Sequence, residues 1–495
     1  MKNLSELLLE RAARFGDRRW STTSSTQTLG EGVAMASRLA TALHERGFAA
    51  GSRLAVVGTN HDSYLVGWAA LQLAGCEAAL INPTYPAELL TEMLANLQPE
   101  GVVWIGPTVD HSVCTGVPHL DFFRACEGVV LEDETPLHVP GSPGHLPGLD
   151  RAPGDVAGYM HTSGTTGTPK FCTQTHEYFL RLGRFIADSM ALSDDDVVFA
   201  PLPLFHINPL GYGVIGSLVA GAQFVSSTRF SASQFWSEVR DAGVTVMILH
   251  APPVEILKRA TTPEDAAGHR VRIMFYADDQ FLQSYGIPLG ASAYGSTESG
   301  GLSHIWLWRR GEHPELPEGM SRYGGRCRHD VEWTVSDDGE ILLRPKRAHV
   351  MFEGYRRGSE TPSPYDTDGW FRTGDLGRID DAGNLVFIER QAESIRVKGE
   401  FVPIGYVEDV FSKVEGIDDV AVWRRPSSLV DDEVTLYVVA ASIDTDRLRA
   451  TGATLPAFMR PSVILRVAAI PRDSGVGKIR RRQLGEVRVL EEVTL

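Results

Sequence analysis

Between residues 53 and 82 the chain runs through a short apolar stretch, a longer apolar-rich stretch and a second short one, and Pro83 closes the series. Residues 53–58 read as a strand, 61–74 as a helix and 77–82 as another strand. Two strands joined through a helix lie parallel, and parallel sheets are covered by helices on their faces. A helix-covered parallel sheet is therefore the first architectural expectation. At 495 residues the chain exceeds the ~250–300 at which one core stops growing, so more than one domain follows. A Pro/Gly-rich stretch over 140–154 reads as a surface connector. Past Arg390 the pattern changes to short units, with a helix near 405–414 and strands near 420–423, 434–440 and 463–467. The expected organisation is α/β: a large N-terminal domain over 1–390 with largely parallel sheets, and a small α+β domain over 391–495.

The net charge of −16 disfavours nucleic acid or an anionic membrane surface as the main partner. Five cysteines at 76, 114, 126, 172 and 327 show neither zinc spacing nor a disulfide framework, which points to a reducing compartment. Met1 leads into a helix-like run over 5–15 without a signal-peptide core, and no apolar run reaches the ~18 residues of a membrane span. The cytoplasm is the expected location. The oligomeric state stays open, a homodimer included.

The stretch Thr-Ser-Gly-Thr-Thr-Gly-Thr-Pro-Lys at 162–170 is suited to polyphosphate. Gly164 and Gly167 let the backbone approach phosphate oxygens, the hydroxyls of Thr162, Ser163, Thr165 and Thr166 can donate, and Lys170 adds charge. It is not the Walker loop, in which Lys directly follows the last glycine. A hydroxyl-rich turn with a solvated lysine is the plain alternative. Four further motifs follow in order: Tyr294-Gly-Ser-Thr297-Glu298, Asp368-Gly-Trp-Phe-Arg-Thr-Gly-Asp375, Arg390 with Lys398-Gly399, and Gly475-Val-Gly-Lys478.

Together these five motifs resemble the adenylate-forming superfamily of acyl-CoA synthetases, peptide-synthetase adenylation domains and firefly luciferase, and the likeness covers nearly the whole chain. It implies activation of a small-molecule carboxylic acid by ATP and Mg2+ as an acyl-adenylate, followed by transfer to the thiol of coenzyme A. The resemblance gives the 162–170 loop to pyrophosphate, Thr297 to the α-phosphate and Glu298 to Mg2+, for which a carboxylate is the expected hard ligand. It further implies that Tyr294 stacks on adenine, Asp375 accepts from both ribose hydroxyls and Arg390 binds ribose or phosphate. Lys478 would bridge substrate carboxylate and α-phosphate during adenylation only. Rotation about Gln391-Ala392 would then withdraw Lys478 and bring Lys398-Gly399 beside the thiol. Phe205-His206, in Pro-Leu-Pro-Leu-Phe-His at 201–206, resembles the aromatic–His pair that lines the acyl pocket of CoA ligases.

Viewed singly, Tyr294 could be a core tyrosine, Asp375 a turn residue, His206 a structural histidine, and Lys478 part of a solvated basic turn with Arg480, Arg481 and Arg482. The chain also departs from the general pattern. Ala392 replaces a charged hinge residue, Phe171 a glycine and His161 an aromatic, and Met-Phe-Tyr-Ala-Asp-Asp at 274–279 replaces a Gly/Ala/Pro wall. The Met-Phe-Tyr start is similar to the crotonobetaine/carnitine-CoA ligase branch. Asp278 and Asp279 suit a cationic head group, although an apolar fatty, aryl or polycyclic acid is the preferred expectation. A stand-alone enzyme loading a carrier protein, a luciferase-like oxygenase and a degenerate adenylate-binding homologue remain alternatives.

Overall fold

The computed structural model describes residues 1–106, 119–122, 139–162, 169–313, 322–390, 395–397, 400–426, 432–472 and 479–495. Contacts divide the chain into two compact units. One comprises Met1–Pro83, Leu94–His161 and Phe171–Glu389; the other comprises Thr84–Met93, Thr162–Lys170 and Arg390–Leu495.

The first unit realises the strand–helix–strand expectation. Arg53–Gly58 lies between Glu77–Ile81 and Gly101–Ile105, parallel to both, with Val56 opposite Leu80 on one side and Val103 on the other. The intervening helix, Asp62–Leu73, starts where His61 Nδ1 accepts from the Ser63 amide. Apolar residues occupy almost all sides of this helix and are buried, as a helix enclosed within a core requires. Among the described residues these strands belong to a sheet of seven, ordered Gly354–Tyr355, Lys170–Thr175, Val156–Thr162, Glu77–Ile81, Arg53–Gly58, Gly101–Ile105 and His119–Asp121.

A second sheet, of twelve strands among the described residues, changes character midway. From Trp20–Thr22 through Gln223–Ser226, Val197–Phe199, Val246–Met247 and Ile273–Phe275 to Leu289–Tyr294 every pairing is parallel. From Leu289–Tyr294 onward the chain folds back, and His304–Arg309 pairs antiparallel with it. Trp20, Phe199, Phe224 and Phe275 are among the large side chains buried here, so both faces of the parallel part are packed.

The 140–154 connector is only partly a surface segment. Its residues 141–145 are exposed, but Pro147–Asp150 forms a 3-10 turn in which Pro147 and Gly148 are buried. A Cβ at Gly148 would lie 2.1 Å from the Gln72 carbonyl oxygen, so a glycine is what lets the connector dock there. Composition alone suggested exposure. Close backbone packing against the helix Asp62–Leu73 decided otherwise.

In the second unit, Ile417–Pro426 pairs antiparallel with Asp432–Ala440, which pairs parallel with Val463–Val467, and Val489–Thr494 adds antiparallel at the edge. The helices Ile404–Ser412 and Thr445–Ala453 complete an α+β arrangement. Arg481, read from sequence as part of a basic turn, is not solvated: it pairs with Glu408 at 2.5 Å and donates to the Val422 carbonyl. No described helix is long and apolar enough to cross a membrane.

Candidate active site

Four neighbouring parallel strands carry the candidate residues at their carboxyl ends. The chain leaving Val197–Phe199 leads to Phe205-His206, that leaving Val246–Met247 to His250, that leaving Ile273–Phe275 to Tyr276, and that leaving Leu289–Tyr294 to Thr297-Glu298. Carboxyl ends of parallel strands, where the connections diverge, are where open α/β sheets bind ligands. Segments more than 90 residues apart in sequence, from His206 to Glu298, thus share one edge.

On the Tyr294 side, the hydroxyl of Tyr294 donates to Asp375 Oδ2 at 2.8 Å, and both residues are buried. The Tyr294 ring packs edge-on to His304 and stacks with Phe387 at 5.7 Å. Burial pushes the His304 imidazole down to about 3, so it is neutral behind the tyrosine. Asp375 sits in the strand Phe371–Ile379, where register shifts between Glu340 and Leu342 of the neighbouring strand. The Gly374 amide donates to Glu340 Oε1 and the Asp375 amide to Thr373 Oγ1, which fixes the bulge that aims the carboxylate.

Thr297 and Glu298 lie in the turn between Leu289–Tyr294 and His304–Arg309, each 9% exposed. Tyr178 donates to the Thr297 carbonyl at 2.8 Å, the Phe352 amide to the Glu298 carbonyl at 3.2 Å, and Tyr355 to Glu298 Oε1 at 2.9 Å. Burial raises the Tyr178 hydroxyl well above its ordinary range, so it remains a donor. Among the described residues no group of three or more His, Cys, Asp or Glu could hold a metal ion. The carboxylate of Glu298 fits a Mg2+ that draws its other ligands from phosphate and water, the usual habit of that ion. Sequence reading passed over Tyr178 and Tyr355.

On the His206 side, Phe205 and His206 meet edge-on at 4.7 Å, and His161 stacks on Phe205 at 6.1 Å and lies edge-on to His206 at 6.0 Å. The turn carrying them is pinned by buried Asn60, whose Nδ2 donates to the Leu202 and Ser227 carbonyls while its Oδ1 accepts from the Leu204 amide. A π-helical segment, Asn208–Ile215, follows directly, a form that recurs at functional sites. His250 and Tyr276 lie 6.2 Å apart, and Tyr276 adopts a left-handed φ of 60°, uncommon for an aromatic residue. Neither His250 nor Tyr276 had been singled out as a site residue.

Asp278 and Asp279 have structural employment. Asp278 caps the helix Asp279–Tyr285 through the Phe281 amide and pairs with Lys258 at 2.5 Å. Asp279 accepts from Trp308 Nε1 and from the His313 amide.

Thr162 is the buried last residue of Val156–Thr162, and Lys170 opens Lys170–Thr175 half-buried. The candidate residues Ser163, Gly164, Thr165, Thr166, Gly167, Gln391, Ala392, Lys398, Gly399 and Lys478 lie outside the described residues. Arg390 is described as the last residue of the strand Leu385–Arg390.

Residues 8–352 match the AMP-binding enzyme family. The chain belongs to that family. It is 28% identical to the crotonobetaine/carnitine–CoA ligase of Shigella sonnei over 348 residues, a match that spans 67% of this chain and 66% of that ligase. With the ligase of the same name from Proteus mirabilis it shares 27% over 376 residues, 73% of this chain and 70% of the other. Among solved structures it is similar to a double mutant of the o-succinylbenzoate CoA synthetase MenE of Bacillus subtilis bound with its product analogue OSB-NCoA. That likeness has a TM-score of 0.80 at 21% identity and covers 99% of each chain. MatB of Rhodopseudomonas palustris follows the same fold with a TM-score of 0.66 at 23% identity, covering 98% of this chain and 99% of the other.

Proposed function

We propose that this chain is an ATP- and Mg2+-dependent acid:CoA ligase. A carboxylate oxygen attacks the α-phosphorus of ATP and pyrophosphate leaves; the CoA thiol then attacks the acyl carbon and AMP leaves. The observation that carries this reading is the shared strand edge. It presents Thr297 and Glu298, anchored by Tyr178 and Tyr355, in line with the His206 and Tyr276 segments. Both half-reactions concentrate negative charge, and fixed donors and cations are what such transition states need.

In this reading Thr297 contacts the α-phosphate, Glu298 holds Mg2+ and Asp375 takes the ribose hydroxyls, with Tyr294 beside it. The 162–170 loop, including Thr162 and Lys170, takes pyrophosphate; Arg390 binds ribose or phosphate. Lys478 serves adenylation, Lys398-Gly399 the thiol step, and the domains are 1–390 and 391–495. His161, Phe205 and His206 border the acid. Because Asp278 and Asp279 are already engaged in capping and pairing, a cationic head group lacks its counter-charge there. The ring-rich wall supports an apolar fatty, aryl or polycyclic acid. Action in the cytoplasm belongs to the same reading.

Pyrophosphate exchange across a panel of fatty, aryl, polycyclic and trimethylammonium acids tests it, with exchange expected for an apolar acid and CoA thioester formed on adding CoA. Lys478→Ala should slow exchange by on the order of 10²-fold while sparing CoA transfer from preformed acyl-adenylate. Equal loss of both steps would remove Lys478 from the adenylation role, and no exchange with any acid would sink the ligase reading.

A further inference from the structure

The turn that carries Thr297 and Glu298 is short of intrinsic rigidity. Gly300 and Gly301 follow in succession with φ of 77° and 80°, a conformation that glycine enters freely and leaves as freely. Its carbonyls are nevertheless held one by one. Thr297 and Glu298 are held as described, Tyr212 donates to the Gly301 carbonyl at 2.9 Å, and Arg328 Nη1 donates to those of Gly300 at 3.2 Å and Leu302 at 3.1 Å.

Arg328 is the unexpected member. Its side chain is 1% exposed, and a guanidinium so enclosed is expensive to desolvate unless every donor is used well. The fork is used: Nε and Nη2 bind the two oxygens of Asp330 at 2.6 and 3.1 Å, which leaves Nη1 for the turn. Burial pushes the Asp330 carboxyl up, but the Arg328 hydrogen bonds and charge outweigh it and hold the group below its ordinary value. Asp330 is in turn 3.4 Å from Arg181 on the helix His176–Ser189, the helix that also supplies Tyr178. Its backbone carbonyl accepts from Lys346, at the start of the loop that reaches Phe352. A Cβ at Gly300 would stand 3.1 Å from Arg328 Nη1 and 2.7 Å from the Val350 carbonyl oxygen, so side chain and turn are fitted to one another.

We infer that the Arg328–Asp330 pair is a positioning device for adenylation: it locks the Gly300 and Leu302 carbonyls and thereby fixes the reach of Thr297 and Glu298 toward α-phosphate and Mg2+. The inference rests on the roles given above to Thr297 and Glu298. Neither residue of the pair touches substrate. A buried ion pair could have been replaced by apolar side chains at little loss of stability, so the fixed turn geometry is what the pair adds.

The test uses the full chain carrying Arg328→Met with Asp330→Leu, which strands no charge, beside Arg328→Lys, which keeps charge but cannot serve Asp330 and both carbonyls. The double variant should melt close to the wild type. Its kcat for pyrophosphate exchange should fall about tenfold or more and its half-saturating Mg2+ rise several-fold, while CoA transfer from preformed acyl-adenylate stays within about twofold. Arg328→Lys should show the same selective loss to a smaller degree, and it carries the test alone if the double variant does not fold. Wild-type exchange with a wild-type Mg2+ response, or equal loss of both half-reactions, overturns the inference. Glu298→Gln is run alongside. If it keeps a normal Mg2+ response, the role of Glu298 fails and the brace with it; a defect in Glu298→Gln alone overturns only the brace.

Discussion

In the proposed reading, Asp375 serves a structural and a chemical purpose with the same two oxygens. One accepts from buried Tyr294 at 2.8 Å, and the ribose hydroxyls are the chemical partner the proposal gives it. The two purposes separate on mutation. Asp375→Ala strands the Tyr294 hydroxyl and should cost about 1–3 kcal/mol of stability in addition to nucleotide binding. Asp375→Asn retains an acceptor for Tyr294, so its melting temperature should stay near the wild type while KM for ATP rises. Thermal melts and ATP kinetics on both variants check this, and an unchanged KM in Asp375→Asn would take Asp375 out of the nucleotide site. Asp375 stands out in the sequence because a Gly-Asp pair follows a distinctive aromatic run. The Tyr294 partnership was not, since 81 residues separate the two.

At the scale of elements, the turn from Val197–Phe199 to His206 is irregular and Pro-rich, and its shape is imposed from outside. Asn60 satisfies the Leu202 carbonyl and the Leu204 amide together, groups that no sheet or helix would otherwise pair. Asn60→Ala should therefore cost roughly 2–4 kcal/mol and loosen the Phe205-His206 pair against His161. A lowered melting temperature together with a raised KM for the acid, at unchanged KM for ATP, is the expected pattern. A fall in stability with acid kinetics untouched would mean that His206 does not border the acid. The π-helical segment Asn208–Ile215 and the left-handed Tyr276 belong to this scale as well. Helical periodicity reads the former as an ordinary helix, and φ at a tyrosine has no sequence signature.

Over the whole molecule, the proposed alternation of half-reactions is what one substitution probes best. Proline at 392 fixes φ near −65° and disfavours helical torsions at Gln391, so Ala392→Pro should leave pyrophosphate exchange near wild type and abolish thioester formation. Completion of both steps at wild-type rates would place the pivot elsewhere. The sequence alone determined the α/β class, the strand Arg53–Gly58 with its helix and parallel neighbour, and the small α+β arrangement, all of which follow from local periodicity. It singled out Thr297, Glu298 and Asp375 through the resemblance of their motifs, and their roles belong to the proposed function. Only the tertiary structure decided what those residues touch: Tyr178 and Tyr355 on the Thr297-Glu298 turn, Arg328 under Gly300, His161 against Phe205, and Asp278 drawn to Lys258. Each of these partners lies 20 or more residues away in sequence, and their pairing is set by sheet order and by the need to satisfy every buried donor and acceptor. Neither constraint is written in any local window of the chain.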